Sequence, residues 1–464
     1  MRRRKILEIT VILAAAIIIS YQLLFPPLIG MADNGDFGRF FRAGFEHMTA
    51  DFDDRYFSYF NSKFRIVPAA FPGWYLSSTE VPIRIARLAG IVFVDRQVFD
   101  IRVLGGIYAL LLLAGMGLLL VASRKLVFAA RLVFGILLVL ILTDPSYIAS
   151  FNSFFSEPTA LVFFVLAAGC ALLVISGQGS MWLLLAYFVC STIFVTSKPM
   201  HAPFAVLFAL FGIYLARVAG FKNAFVLAVS LSVLLCTTAV GYYWVTPHEL
   251  REKAVYIELF TDFLQHSPTR EQDLVDMGLD QDWARFAGTN PYSADSPIRD
   301  PAFKTELMAR VGPTTIPFFY LRRPLRFYEL IQRCSRHIQQ MTSLGYYEKS
   351  SGHAPFAQPF GLWYRLRAFL FPRSIWTLVG FFAAGTAATA LGIVGKNHSR
   401  RRLAVFCAVL TAAALGQFLI PVLMFGENDL PRYLFLFNLI FDVGLIGVLV
   451  MTVQAVFSRH SLSD

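Results

Sequence analysis

Charge is scarce in this chain. Only 15% of its 464 residues are Asp, Glu, Lys or Arg, against 56% that are hydrophobic. A water-soluble domain of this size does not need so much apolar surface, so a soluble enzyme is excluded and the class is integral membrane protein. The mean hydropathy of +0.59 agrees. Cysteine is scarcer still. Four of the five (Cys170, Cys190, Cys236, Cys407) fall inside apolar runs and only Cys334 lies in a long connecting segment, which excludes a disulfide framework. Internal repeats, low-complexity stretches, a Walker loop and a dinucleotide fingerprint are all missing. No basic face on a soluble surface is visible either, so nucleic acid is not a partner.

Long apolar runs are what the chain has instead. A spanning helix needs about 20 mostly apolar residues, and ten stretches qualify: about 6–25, 103–123, 128–144, 158–177, 181–197, 202–217, 223–245, 374–395, 403–425 and 433–456. The expected fold is therefore an all-α polytopic membrane protein of about 10 transmembrane helices with two large extracytoplasmic loops. An even number of spans puts both termini on one side. That side carries Arg2, Arg3, Arg4, Lys5, Arg124, Lys125, Arg131, Arg217, Lys222, Lys396, Arg400, Arg401, Arg402 and Arg459, with Asp464 as the only acid. By the positive-inside rule both termini are cytoplasmic, and the net charge of +11 is largely accounted for. "YQLLFPPLIGMA" offers no small-x-small cleavage site, so the first span reads as a retained anchor.

Two long segments are then extracytoplasmic, 26–102 and 246–373. They divide the chain into a membrane module over 1–245, a helical domain over 246–373 and a second membrane module over 374–464. In "STEVPIRIARLAGIVFV", Val81, Ile85, Leu88 and Val92 recur at helical spacing after the capping residues Ser78 and Thr79, which predicts a helix lying along the membrane surface. In the second segment "REKAVYIELFTDFLQHS" and "RFYELIQRCSRHIQQM" read as amphipathic helices, and "GTNPYSADSP" as a turn-rich loop.

Charges at a membrane face are costly and usually functional, and they form four clusters here. "DNGDFGRF" places Asp33 and Asp36 just beyond the first span, where a carboxylate can act as a general base and Gly35 and Gly38 let the backbone bend round a substrate. The ordinary reading is a turn with solvated charges, as it is for Asp51, Asp53 and Asp54 in "DFDD". "FNSFFSEPTALVFF" sets Glu157 alone at the mouth of the fourth span; a first-turn acid favoured by the helix dipole is the plain alternative. "TSKPMHAPF" brings Lys198 and His201 to the ends of the fifth and sixth spans, a point charge for a phosphate or simply a snorkelling lysine. "GENDLPRYLFLFN" opens the last span with Arg432, close to Glu427 and Asp429; it can anchor at the interface or grip a phosphate through its fork. "FFYLRRPLRFY" adds Arg322, Arg323 and Arg326.

Acids from the early loops and bases from the later ones suit transfer from a phosphate-linked donor to a hydroxyl, with the acid taking the proton and the cations stabilising the departing phosphate. With no nucleotide outside the cytoplasm, the natural donor is a lipid phosphate. In "NGDFGRF", "FFSEPTALVFF", "YLRRPLRF" and "PRYLFLFN", and in their order along the topology, the whole chain resembles the GT-C superfamily of polytopic glycosyltransferases, in particular a bacterial branch of hexose transferases of cell-surface glycan synthesis. The resemblance implies a polyprenyl-phosphate sugar as donor, a glycan or lipid-linked acceptor, and an inverting reaction on the outer face of the cell membrane. It matches Asp36, with Asp33 second, to the catalytic acid and Glu157 to a further acid of the second outer loop. Lys198, Arg432, His201 and Arg323 become the donor-phosphate binders. No cofactor is assigned; metal dependence varies in this superfamily and "DNGD" is not a plain D-x-D, so a divalent cation stays open. Two rivals remain: a lipid-linked sugar flippase or transporter, for which Asp442 is the main charge inside a span, and an O-antigen-type polymerase or ligase.

Overall fold

The computed structural model describes residues 2–70, 75–293, 296–312, 314–341, 344–354, 356–357, 361–395 and 397–460. Lys396 and Asp464, used above for orientation, lie outside the described residues, as do the side chains of Arg2, Arg3 and Arg459. The architecture is all-α and polytopic. Among the described residues, seven helices are long and apolar enough to cross a bilayer: Arg4–Leu24, Arg102–Lys125, Glu157–Ile175, Ala224–Val245, Ile375–Val394, His398–Phe425 and Phe435–Ser458.

The other three expected spans are helical but shorter. Phe128–Leu142, Met181–Val195 and Phe204–Ala219 have 15, 15 and 16 residues, about 22–24 Å at 1.5 Å per residue, short of a bilayer core of about 30 Å. The first is shortened by Asp144-Pro145: proline has no N–H to continue the ladder, and the chain bends by 50° into a short helical stretch that runs to Phe151. The other two are cut where "TSKP" interrupts them, with Pro199 and Pro203 flanking the break.

Glu157–Ile175 is the central helix. Nearly all of its residues are buried, and it packs against both Arg102–Ala122 and Met181–Val195. Its N-terminal end is held by the buried loop before it. There Asn152 Nδ2 donates to the carbonyls of Leu23 and Ile29 at 3.0 and 2.9 Å. Ile375–Val394, by contrast, buries little besides Leu378.

The 26–102 segment holds a feature the sequence did not announce, a three-stranded antiparallel sheet of Phe45–His47 (β1), Lys63–Ile66 (β2) and Val98–Asp100 (β3) in the order β1-β2-β3. Phe45, Phe64 and Phe99 alternate inward and close on Phe154, with ring centroids 4.9–6.1 Å away. This ties the segment to the loop that precedes Glu157. The expected surface helix is present as Glu80–Phe93. Its stripe of Val81, Ile85, Leu88 and Val92 points away from the protein, 49–69% exposed, as a helix resting on an apolar phase requires.

The 246–373 segment is helical. His248–Tyr256 runs on as a π-helix over Ile257–Phe263, and the later helices include Pro301–Arg310, Thr315–Arg322, Pro324–Cys334 and Leu362–Leu370. The last of these is locked to the final span. Arg367 Nη1 meets Asp442 Oδ2 at 2.8 Å with both side chains fully buried. Tyr147 and the Trp363 indole donate to the same oxygen at 2.5 and 2.7 Å.

Candidate active site

The loop from Gly426 to Asp429 joins the last two spans and sets the position of Arg432. Gly426 takes a positive φ of 57°, and a Cβ there would collide with the carboxyl of Asp262, so only glycine fits. Asp429 is also left-handed, φ 50°, a conformation that Asp tolerates better than most residues. The turn Leu430–Tyr433 follows, with Pro431 at its start, and it aims Arg432 inward. The guanidinium then reaches three acids, two from distant parts of the chain and Asp429 from three positions before it. Its Nη1 lies 2.7 Å from Asp36 Oδ2 and 3.6 Å from Asp429 Oδ2, and its Nε lies 3.0 Å from Glu157 Oε1. Its plane lies over the ring of Phe155 at 4.2 Å, a contact that suits a desolvated arginine.

Two further cations complete the cluster. Lys198 Nζ meets the same Glu157 Oε1 at 3.1 Å and sits over the ring of Tyr433 at 4.4 Å. Arg39 Nη2 meets Asp36 Oδ1 at 2.6 Å. Each of these charges is placed by a helix end. Glu157 begins the central helix, with Pro158 behind it. Lys198 precedes the turn Pro199–His201. Asp36 begins the turn Asp36–Arg39, and Gly35 before it has φ 97°.

The electrostatics follow from burial and pairing. Burial would raise the Asp36 carboxyl, but the guanidiniums of Arg432 and Arg39, with Lys198 behind them, overcome it and hold Asp36 below its ordinary range. Burial lowers Lys198, and Glu157 restores only part of its proton affinity. For Asp429 burial wins over Arg432 and Lys198, so its carboxyl is raised. Arg432 stays charged, because the three carboxylates more than offset its desolvation. The cluster thus pairs three carboxylates with three cations. Asp429 is the acid most ready to take a proton, and its protonation leaves an excess positive charge.

Four of the residues singled out in the sequence, Asp36, Glu157, Lys198 and Arg432, therefore converge. Three do not join them. Asp33 is buried and spent on the loop itself: Oδ1 accepts from the backbone N–H of Gly35 and Phe37 at 2.7 and 3.2 Å, and Oδ2 faces His47 Nε2 at 3.1 Å. It shapes the turn that carries Asp36. His201 bonds to Ser197 Oγ at 3.1 Å and stacks on Phe194 at 4.9 Å; burial, together with the Lys198 charge, pushes its imidazole down to about 3, so it brings no positive charge. Arg323 pairs with Asp276 and lies over Phe319, beside a separate cavity of about 260 Å³. Asp51 caps the helix Phe52–Arg55, and Asp54 pairs with Lys349 at 2.5 Å.

Arg39, Asp429, Phe155 and Tyr433 were not singled out as site residues. Arg39 and Tyr433 were within reach, since one follows Asp36 by three positions and the other adjoins Arg432. Among the described residues no group of three or more His, Cys, Asp or Glu side chains has the geometry to hold a metal ion. A cavity of about 90 Å³ opens against the cluster, lined by Asn34, Ser146, Glu157, Asp429, Arg432 and Tyr346 among others.

A family model described as the YfdI N-terminal transmembrane domain matches residues 1–463. No curated protein and no solved structure matches the chain.

Proposed function

Because the chain belongs to the YfdI N-terminal transmembrane domain family, a family of polytopic membrane proteins, we propose that it is a membrane glycosyltransferase of GT-C type. It moves a sugar from a polyprenyl-phosphate donor to a hydroxyl of a cell-surface glycan or lipid-linked acceptor. The observation that carries this reading is the single guanidinium of Arg432, held at once by Asp36 and Glu157. It brings a base and a phosphate grip to one point at the mouth of an apolar helix bundle. The resemblance of the four motifs to GT-C enzymes supports the same class.

The reaction balances as follows. The donor is a phosphodiester with one negative charge. Arg432 and Lys198 take its phosphate oxygens. The acceptor oxygen forms a bond to the anomeric carbon as the bond from that carbon to the phosphate oxygen breaks, with inversion. The acceptor proton passes to Asp36. The leaving polyprenyl phosphate gathers a second negative charge, and fixed cations in a desolvated site stabilise that growth more than they stabilise the ground state. Glu157 holds Arg432 and Lys198 in place through its Oε1. The Lys/Arg bias of the short loops supports a reading in which the site faces away from the cytoplasm and both termini are cytoplasmic.

The test is Asp36→Asn in purified protein with a panel of polyprenyl-phosphate sugars, scored for sugar released and product formed. Loss of a general base lowers kcat by roughly 10²–10⁴-fold, while the variant still folds and melts somewhat lower because Arg39 and Arg432 lose a charged partner. Normal product from the variant overturns the assignment.

A further inference from the structure

Two buried polar atoms near the ion cluster have no hydrogen-bond partner. One is Glu157 Oε2, whose sister oxygen carries both Lys198 and Arg432; the other is Ser146 Oγ. The two residues are 8% and 4% exposed, and both line the cavity of about 90 Å³ beside Arg432. Buried polar atoms are nearly always satisfied, and an exception calls for a partner. Here the two residues line one cavity with room for several waters, and the orphaned acceptor and the hydroxyl, a donor or acceptor as it rotates, are closed off just behind its surface.

The local fold holds this pair open. Asp144 Oδ1 caps the short helix Pro145–Ile148 through the Ser146 N–H at 3.0 Å, and its Oδ2 accepts from the N–H groups of Trp363 and Tyr364. The Ser146 backbone is thus pinned from two sides, and the side chain has no local carbonyl that it uses. Aromatic and thioether side chains, including Phe155, Phe435, Tyr346 and Met31, form the rest of the wall. A cavity with apolar walls, a few convergent polar atoms and a cation at its rim fits a ring that is apolar on its faces and hydroxylated at its edge.

Resting on the glycosyltransferase reading, we propose that this cavity is the subsite for the pyranose of the donor, and that Ser146 is a specificity-determining residue for it. A side-chain rotation that turns Ser146 Oγ and Glu157 Oε2 into the cavity lets them engage hydroxyls of the sugar whose phosphate Arg432 and Lys198 hold. Ser146 therefore takes no part in proton transfer and decides which sugar is accepted.

The experiment compares wild type with Ser146→Ala in full-length detergent-solubilised protein. The probes are one polyprenyl-phosphate sugar and its singly deoxygenated analogues, read by initial rates and by the melting shift each donor produces. The wild type should discriminate against one particular deoxy donor by about tenfold in kcat/KM. Ser146→Ala should lose that discrimination alone, with the KM for the intact donor raised about tenfold, kcat near normal and the acceptor KM unchanged. If the variant ranks all donors as the wild type does, the cavity holds water only and the subsite is overturned while the transferase stands. A rise confined to the acceptor KM overturns the donor assignment. If the wild type transfers no sugar, yet the donor raises its melting temperature more than that of Ser146→Ala, the transferase reading falls and the subsite survives. No shift in either protein overturns both.

Discussion

On the transferase reading, lowering the pH should weaken kcat and kcat/KM at different points, because a bound donor would make Asp36 change partners. In the free protein both of its oxygens are paired, one with Arg39 at 2.6 Å and one with Arg432 at 2.7 Å, and this holds its carboxyl below the ordinary range. A base held so low is a weak base. A donor phosphate at Arg432 competes for that guanidinium and leaves Asp36 with Arg39. Losing that ionic hydrogen bond, worth about 1.5–3 kcal/mol, raises the Asp36 carboxyl in the complex relative to the free protein, where both guanidiniums hold it low. The acid limb of kcat/KM, which reports the free enzyme, then lies at lower pH than that of kcat, which reports the complex. The KM for the donor must fall with pH between the two limbs. The assay is initial-rate sugar transfer from a fixed polyprenyl-phosphate sugar between about pH 3.5 and 8 in detergent or nanodiscs. A phosphodiester does not titrate in this window. Coincident limbs, with a flat KM, would refute the exchange of partners and leave Arg432 as a structural tie.

Two predictions concern stability. His201 is neutral in the folded protein down to about pH 3, whereas an unfolded histidine takes a proton below about 6.5. The unfolded state therefore binds more protons between those values, and stability is complete above 6.5 and falls as pH drops. Replacing it by His201→Gln should remove a loss of about 1.4 kcal/mol per pH unit in that window, so the gap in melting temperature between pH 7 and pH 4.5 narrows; an unchanged gap rules out a buried neutral imidazole. Arg367→Met strands Asp442 without its cation and should cost about 3–5 kcal/mol, while Arg367→Met with Asp442→Leu recovers much of it. Equal melting temperatures for wild type and the single variant would show that the pair carries no such load.

Much of the site was legible because charge is expensive where it sits. Asp36, Glu157, Lys198 and Arg432 each stand at the end of an apolar run, where a charge with no partner would be penalised, so its presence already asks for a partner. The pairing itself, 275 residues apart for Glu157 and Arg432, is a tertiary fact that no local pattern records. Arg323 misled because its segment is not apolar. Charges there cost little, and Asp276, 47 residues away in the sequence, answers it. Asp33 and Asp36 look alike in "DNGD"; only the turn at Gly35 separates them, folding one back onto the N–H groups and turning the other toward Arg432. The sheet escaped notice because its strands have three or four residues, too short for an alternating pattern to stand out. The ten apolar runs were visible, but run length did not register that Pro145 and the "TSKP" break would shorten three of them.

Asp442 bears on the transport alternative. A carrier needs charges that exchange partners along a path through the membrane, and Asp442 was the main acid of the sequence inside a span. Its Oδ2 is saturated by Arg367, Tyr147 and Trp363, all three fully buried or nearly so. These partners come from two elements: the helix Leu362–Leu370 supplies Trp363 and Arg367, and the bent stretch after Asp144 supplies Tyr147. Moving Asp442 between two faces would require all of them to let go together. The arrangement is that of a fixed strut, which fastens the 246–373 segment to the last span and holds Pro145–Ile148 still. That same short helix carries Ser146 to the cavity beside Arg432. The paired Oδ2 is accounted for by holding a site in place, and a rigid site at one end of the bundle serves group transfer better than passage across it.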